Sequence, residues 1–249
     1  MSAPPEVKVP RRAMALAAGL GKRMRPLTET TPKPLLEVAG RTLLDRLIDR
    51  YEDVGVERVV VNLHHHRKQL EAHLRARNSP PLTLAIEDEL LETGGGVRHA
   101  LAHLGPDPFY VANGDVLWLD GARPALVRLA QSWDATRMDA LLLIHSVVTA
   151  RGYEGEGDFF ADPLGGLRRR RLGQVAPFVF TGVQILHPRL FADTPQGPFS
   201  LNLLYDRAEA ASRLYGVVHD GMWFHVGTPQ DLVATEAELR TGLRSRVPT

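Results

Sequence analysis

The apolar positions of this chain alternate between two spacings. Short continuous apolar runs, typical of buried strands, are separated by stretches whose apolar residues recur every three or four positions, as on one face of a helix. The predicted strands cover residues 13–18, 58–63, 82–86, 108–112, 140–144, 178–186 and 214–218. The predicted helices cover residues 42–54, 66–76, 96–104, 122–133, 200–212 and 229–243. This alternation predicts an α/β fold with a doubly wound, mostly parallel sheet.

One stretch breaks the alternation. Residues 151–175 contain six glycines and no clear helical stripe, which predicts a small hairpin excursion instead of another crossover unit. The remaining chain shows no linker, so we expect a single domain over residues 11–249 after a disordered tail at residues 1–10.

Composition narrows the possible functions. The 30 basic and 29 acidic residues leave a net charge of +1, which argues against a general nucleic-acid-binding protein. The chain has no cysteine, so disulfides, a thiol nucleophile and thiolate metal sites are excluded. Residues 1–10 are too polar for a signal peptide, and no apolar run reaches the roughly 18 residues of a membrane span. We therefore expect a cytoplasmic protein without membrane partners.

A basic, glycine-containing loop follows the first predicted strand. Gly19 and Gly21 allow backbone amides to approach an anion closely, and four cations lie nearby: Lys22, Arg23, Arg25 and Lys33. A dinucleotide fingerprint requires a third glycine where Met24 stands, and a P-loop requires Ser or Thr after its lysine. The loop is therefore predicted to bind phosphate in a different manner from either motif.

A single carboxylate follows a later strand. Asp115 comes just after the strand predicted at residues 108–112, and ligands of open α/β sheets collect at the carboxyl ends of strands. Mg²⁺ commonly takes only one or two carboxylates together with substrate phosphates. We therefore predict one cleft that is shared by Gly19, Asp115 and the residues after Ile86. The alternative to a metal-binding role is that Asp115 only caps a turn after Gly114.

These motifs resemble a known family. The pattern G-x-G-x-R-x-x-P-L-T followed by P-K-P, the segment Asn113-Gly-Asp115 and the segment Trp223 to Thr228 are similar to the signature of the sugar-1-phosphate nucleotidyltransferases, across almost the whole chain. Residues 89–96, Glu-Leu-Leu-Glu-Thr-Gly-Gly-Gly, look most like those of the N-acetylmuramate-1-phosphate uridylyltransferases. Mannose-1-phosphate guanylyltransferases, which usually read L-G-T-A-G there, are the second candidate.

The resemblance implies a Rossmann-like nucleotidyltransferase fold that joins UTP, or another nucleoside triphosphate, to a sugar 1-phosphate, releases pyrophosphate and serves peptidoglycan recycling. A nucleotide half would span about residues 11–120 and a sugar-phosphate half about 121–249. Catalytic roles would fall to Arg23, Lys33 and Asp115, with Asp115 holding Mg²⁺. The nucleotide site would comprise Ala17, Ala18, Gly19, Gly21, Arg23, Glu89, Thr93 and Gly94. The sugar site would comprise Asn113, Asp158 and Gly182.

One position departs from the family pattern. The second metal carboxylate of such enzymes stands in W-x-D-x-G-T, whereas this chain places His225 there. Imidazole suits softer ions better than Mg²⁺, so His225 is either a metal ligand that favours Mn²⁺ or a core histidine. A catalytically weak nucleotide-sugar sensor is the alternative function that this departure suggests.

Overall fold

A computed structural model describes the backbone of residues 9–244 and the side chains of residues 9–241. The predicted tail, residues 1–10, lies outside the described residues except for its last two. No helix within residues 9–244 is long and apolar enough to span a bilayer.

The elements follow the predicted alternation. The strands are β1 (Arg12–Leu16), β2 (Glu37–Val38), β3 (Arg41–Thr42), β4 (Arg58–Leu63), β5 (Leu82–Ile86), β6 (Phe109–Asn113), β7 (Leu117–Leu119), β8 (Ala140–Ser146), β9 (Phe159–Ala161), β10 (Leu167–Arg169), β11 (Phe178–Leu186), β12 (Leu214–Val218) and β13 (Met222–Phe224). The helices are α1 (Leu43–Asp53), α2 (Arg67–Arg75), α3 (Glu92–Leu104), α4 (Ala125–Ser132), α5 (Asn202–Ala210) and α6 (Pro229–Arg244).

Nine of these strands form one central sheet within the described chain. Its parallel part has the order β6-β1-β4-β5, and β12 pairs in parallel with β8. Strand β11 joins the two parts and runs antiparallel to both β6 and β8. The hairpin of β9 and β10 attaches to β11 at Phe178. The predicted α/β fold, the mostly parallel sheet and the hairpin excursion are all confirmed.

Helices cover both faces of the sheet. Alternate strand residues point to opposite faces, so Ala13 and Ala15 belong to one apolar cluster and Met14 belongs to the other. Buried residues of α1, α2 and α4 fill the first cluster, and those of α3 and α5 fill the second. The sheet is therefore doubly wound, and its ligand-binding edge is left to the loops at the strand ends.

Helix α3 begins four residues earlier than predicted, at Glu92 instead of residue 96. Glycine disfavours helix interiors, which is why the predicted helix began only at the last of the three glycines. In the structure, the amides of Gly94 and Gly95 donate to the carbonyl of Phe199, at 2.8 and 3.1 Å. A segment from the other half of the chain thus satisfies the first turn of the helix and replaces an N-cap side chain.

A short antiparallel ribbon was not predicted. Strand β13 pairs with β7 and sets Trp223 opposite Trp118, outside the central sheet. Three-residue strands carry too little periodicity to be recognised in a sequence. This ribbon fixes the start of the segment that carries His225.

The contact between Gly94 and Phe199 yields a stability prediction. An added Cβ at Gly94 would overlap the Phe199 ring and lie 2.8 Å from the Phe199 carbonyl oxygen. We expect Gly94→Ala to lower the free energy of unfolding by about 1–3 kcal/mol, as overpacking does. Chemical denaturation measures this change. Alanine has the higher helix propensity, so an unchanged or raised stability would contradict the close packing.

Candidate active site

The parallel pairing of β1 with β6 brings two loops together. Leu16 lies beside Asn113 at the end of this pairing, so both strands deliver their following loops to the same edge. The amide of Gly114 donates to the carbonyl of Leu16 at 2.8 Å. A Cβ at Gly114 would lie only 3.0 Å from that carbonyl oxygen, which explains the glycine before Asp115.

The basic loop after β1 folds back on itself. Gly21 has a φ of 59°, in the left-handed region that favours glycine. A Cβ there would lie 3.0 Å from the Thr28 side chain and 3.2 Å from the Cβ of Lys33. The Thr28 hydroxyl donates to the Gly21 carbonyl at 2.9 Å. Gly21 thus lets the stem of Lys33 pack against the loop.

Lys33 bridges the two loops. Its Nζ lies 2.6 Å from Oδ2 of Asp115, and the two side chains are 13% and 31% exposed. Lys33 begins a single 3-10 turn between Pro32 and Leu35, so its backbone is held on both sides. The partial burial makes this pair stronger than an ordinary surface ion pair and places a cation and an anion together in the cleft.

The cleft at this edge has two lobes. The larger lobe has a volume of about 510 Å³ and is lined by the loop after β1, the start of α3 and Ser200. The smaller has a volume of about 220 Å³ and is lined mostly by residues from the second half of the chain. Four residues line both lobes: Arg23, Lys33, Asn113 and Asp115. The Lys33–Asp115 pair therefore lies at the junction of the two lobes.

Most of the predicted nucleotide-site residues line the larger lobe. Ala18, Gly19, Gly21, Arg23 and Thr93 do so, and Gly19 and Asp115 share the cleft with residues after Ile86, as predicted. The guanidinium of Arg23 makes no ion pair with any residue of the described chain, and its side chain is exposed. It is therefore available to an anionic ligand.

Three predicted nucleotide-site residues do not line the cleft. Glu89 is exposed to solvent, although its neighbour Leu90 lines the larger lobe. Gly94 packs against Phe199 instead. Ala17 is fully buried, and its amide already donates to Oδ1 of Asn62 at 2.8 Å.

All three predicted sugar-site residues line the smaller lobe. Gly182 has a φ of 87°, and a Cβ there would lie 2.8 Å from Nδ2 of Asn113. Oδ2 of Asp158 accepts a hydrogen bond from the amide of Phe180 at 2.8 Å. Gly182 therefore leaves space for Asn113, and Asp158 is held in place by the backbone of β11.

His225 lies in the wall of the smaller lobe and is half-buried, so it is not a residue of the hydrophobic core. Its ring makes edge contacts with Tyr153, at 5.8 Å between ring centroids. Burial, together with the positive charges of Arg23 and Lys33, lowers the pKa of His225 below its ordinary value. The imidazole is therefore neutral at neutral pH and keeps a lone pair.

Several lining residues were not predicted from the sequence. Asn62 lies within β4, Ser200 precedes α5, and Tyr153 stands among the glycines of the excursion. None of them belongs to a recognisable spacing pattern. Only the position of Asn62 near the carboxyl end of a parallel strand could have indicated it.

Asp115 offers an incomplete set of metal ligands. No cluster of three or more metal-binding side chains occurs in the part of the chain that the structure describes. The carboxylate of Asp115 nevertheless lies at the junction of the lobes, and His225 stands on the wall of the smaller one. Such a set cannot cage an ion alone, but it suits one that is shared with substrate phosphates.

Comparison with known proteins agrees with this geometry. Residues 13–194 match the MobA-like NTP transferase domain, and the chain belongs to this family of nucleotidyltransferases. Within it, the chain is a sugar-1-phosphate nucleotidyltransferase that is similar to N-acetylmuramate alpha-1-phosphate uridylyltransferase of Caulobacter vibrioides. The two are 46% identical over 237 residues, covering 93% of this chain and 98% of the relative.

Two further relatives are more distant. Mannose-1-phosphate guanylyltransferase of Mycobacterium tuberculosis is 28% identical, over 93% of this chain and 65% of its own length. The structure of a UDP-glucose pyrophosphorylase in complex with UDP-glucose superimposes with a TM-score of 0.76, covering 93% of this chain and 99% of the other. At 15% identity, this second likeness demonstrates the fold alone.

Two aspartates, one after β6 and one after β7, distinguish a catalytic from a structural role. Asp115 lies in the cleft, whereas Asp120 accepts hydrogen bonds from Trp118 Nε1 at 2.9 Å and from the amide of Ala125 at 2.8 Å. We expect Asp115→Asn to lower kcat at least about 100-fold in a protein that still folds, because it removes charge where the substrates meet. Asp120→Asn should instead lower the free energy of unfolding by about 1–3 kcal/mol and leave kcat nearly unchanged, because Oδ2 of Asp120 pairs with Arg50 and an amide NH₂ there would face the guanidinium. Pyrophosphate release measures kcat, and chemical denaturation measures stability. A loss of kcat in Asp120→Asn but not in Asp115→Asn would contradict a catalytic role of Asp115.

Proposed function

We propose that this protein joins UTP to N-acetylmuramate 1-phosphate and releases pyrophosphate. The observation that carries the proposal is the two-lobed cleft whose lobes meet at Lys33 and Asp115. A nucleotide and a sugar in separate lobes would bring their phosphates together at that junction. The similarity to N-acetylmuramate alpha-1-phosphate uridylyltransferases supports these two substrates. We also propose that the protein acts in peptidoglycan recycling and that it does so in the cytoplasm.

The larger lobe suits the nucleoside triphosphate. Its wall carries Lys22, Arg23 and Lys33, and the loop between Gly19 and Gly21 exposes backbone to the cavity. A triphosphate carries several negative charges, which these cations would neutralise. The smaller lobe, with Asn113, Asp158 and Tyr153, offers the hydrogen-bonding groups and the flat apolar surface that a sugar ring requires.

The reaction we propose is a direct in-line displacement. An oxygen of the sugar phosphate attacks the α-phosphorus of UTP, a P–O bond forms, and the bond to pyrophosphate breaks. A phosphate monoester has its second pKa near roughly 6, so the nucleophile arrives deprotonated without a general base. Arg23 and Lys33 would reduce the repulsion between the two anions and hold them in line.

The residues at the junction fit a divalent cation. Asp115, with His225 as a second side chain, would hold Mg²⁺ or Mn²⁺ together with substrate phosphates. When bound, the ion would supply further neutralisation of phosphate charge. Lys33 then has two partners, since its ammonium contacts Asp115 in this structure and would also face the phosphates.

A substrate panel tests the proposal directly. Four nucleoside triphosphates are combined with the 1-phosphates of N-acetylmuramate, N-acetylglucosamine, glucose and mannose, and pyrophosphate release is measured with Mg²⁺ and with Mn²⁺. We expect UTP to exceed GTP in kcat/KM by about 100-fold or more, because a mismatched base leaves buried polar groups unpaired. A preference for GTP with mannose 1-phosphate would favour the guanylyltransferase, and binding without any turnover would favour a sensor.

A matched pair of arginines tests the phosphate loop. Arg23 lines both lobes, whereas Arg25 is also exposed but lines neither. We expect Arg23→Ala to raise the KM for UTP and lower kcat, together at least about tenfold in kcat/KM, because its charge contacts phosphate before and during reaction. Arg25→Ala should change kcat/KM little. Equal effects of the two substitutions would indicate general electrostatic attraction instead of a defined contact.

The role of His225 is tested through metal preference. If its neutral ring shares the ion with Asp115, wild-type protein should work better with Mn²⁺ than with Mg²⁺. His225→Asp would replace the ring with a harder oxygen ligand and should shift the ratio of the two activities toward Mg²⁺ by about tenfold. The comparison is internal, because each protein is measured with both ions. An unchanged ratio would make His225 a wall of the sugar lobe and not a ligand.

A further inference from the structure

A buried polar pair lies at the larger lobe, which Asn62 lines and Glu87 does not. Asn62 and Glu87 are only 2% and 3% exposed, and Nδ2 of Asn62 donates to Oε1 of Glu87 at 2.7 Å. The other carboxylate oxygen, Oε2, accepts from the amide of Leu91 at 3.1 Å. Within the described chain, both hydrogen bonds to this buried carboxylate come from neutral donors. Such an arrangement is costly, so it calls for a reason beyond packing.

The pair connects two walls of the lobe. Oδ1 of Asn62 accepts from the amide of Ala17, at the end of β1, while Glu87 holds Leu91, which precedes α3. Ala18 and Gly19 form one wall next to Ala17, and Glu92 and Thr93 form another next to Leu91. One chain of three hydrogen bonds therefore fixes the spacing between these walls.

The orientation of each group in the pair is determined. The amide of Ala17 must face an acceptor, so Oδ1 of Asn62 points to it and Nδ2 points to Glu87. Glu87 must then present acceptors to both Asn62 and Leu91, which the two oxygens of a carboxylate ion do and an amide cannot. The alternative orientation of Asn62 would place two donors together and two acceptors together.

Gly96 makes room for the pair. A Cβ at this position would lie 2.8 Å from Oε1 of Glu87 and 2.9 Å from Nδ2 of Asn62. Both atoms are the ends of side chains, so an alanine would displace the hydrogen bond and leave the helix backbone in place. This accounts for the third glycine of the segment from Gly94 to Gly96, of which the first packs against Phe199.

We propose that Asn62 and Glu87 are positioning residues that hold the two walls of the larger lobe at the spacing of a flat base, and so set the affinity and base selectivity for the nucleoside triphosphate. The inference rests on the proposed function in assigning the base to this lobe. A planar ring between two walls is bound well only when their separation is fixed beforehand, because ordering them on binding would cost affinity.

An exchange of the amide and carboxylate groups between the two positions tests the pair. Asn62→Asp sets two carboxylates against each other, and Glu87→Gln sets an amide NH₂ against one of the two donors. The double variant restores every partner, because the amide introduced at position 87 would donate to the carboxylate introduced at position 62 and accept from Leu91. We expect each single substitution to raise the Kd for UTP with Mg²⁺ about tenfold, and the double variant to return within about threefold of wild type.

The readouts separate positioning from general damage. Titration calorimetry gives the Kd for UTP and for GTP. We expect the ratio of the Kd for GTP to the Kd for UTP to fall in both single variants. The KM for the sugar phosphate should not change. Gly96→Ala perturbs the pair without altering either member, and we expect it to raise the Kd for UTP while thermal denaturation still shows one cooperative transition. It serves as the test if a single variant fails to fold.

Three results would overturn the inference: single variants with the wild-type Kd for UTP, a double variant no better than the weaker single, or a Gly96→Ala protein that binds UTP normally. The titration needs no turnover, so it is independent of the substrate panel. If the variants change the Kd for UTP as expected but the wild-type protein releases no pyrophosphate, the positioning role is supported and the proposed reaction is contradicted. If the wild-type protein releases pyrophosphate but the single variants keep the wild-type Kd for UTP, the proposed reaction is supported and the positioning role is contradicted.

Discussion

The parallel pairing of β1 with β6 is the constraint on which the site depends. It ends at Leu16 and Asn113, and the hydrogen bond from Gly114 to Leu16 locks the two following loops together. Without this register, the loop that carries Gly21 and Arg23 and the loop that carries Asp115 would leave the sheet at different heights. Because Lys33 packs close to Gly21, its side chain is long enough to reach Asp115 from there.

Charge is concentrated locally, although the chain as a whole is nearly neutral. The net charge is +1, yet Lys22, Arg23 and Lys33 all line the larger lobe. Three arginines in and after β10 are, by contrast, paired with carboxylates: Arg169 with Asp206, Arg170 with Glu156 and Arg171 with Glu209. The cleft therefore concentrates positive charge that can attract an anionic ligand.

Much of the fold could be predicted from the sequence because its strands are continuous apolar runs. The bounds of β4, β5, β11 and β12 match their predictions. The start of α3 could not be predicted, since its first turn is stabilised by Phe199, more than a hundred residues away along the chain. The packing of Gly94 against Phe199 could not be predicted for the same reason, since a glycine in a signature segment indicates close approach but not which group approaches.

The candidate site shows a similar division. Arg23, Lys33 and Asp115 stand in motifs whose chemistry is visible in the sequence, and the structure brings them to one junction. Asn62 and Glu87 stand in no motif, because their importance arises only when the ends of β4 and β5 meet those of β1 and α3. Sequence motifs indicate the groups that face a ligand. The groups that hold them in place are recognised only from contacts in the folded structure.

The most direct test of this account is a crystal structure of the protein with its nucleotide-sugar product. We predict that the nucleoside occupies the lobe of about 510 Å³ and the sugar the lobe of about 220 Å³, with the two phosphates between them in contact with Lys33. The base should lie between the walls formed by Ala18 and Gly19 on one side and Thr93 on the other. A product bound in the reverse direction, or with its phosphates away from the Lys33–Asp115 junction, would contradict the account.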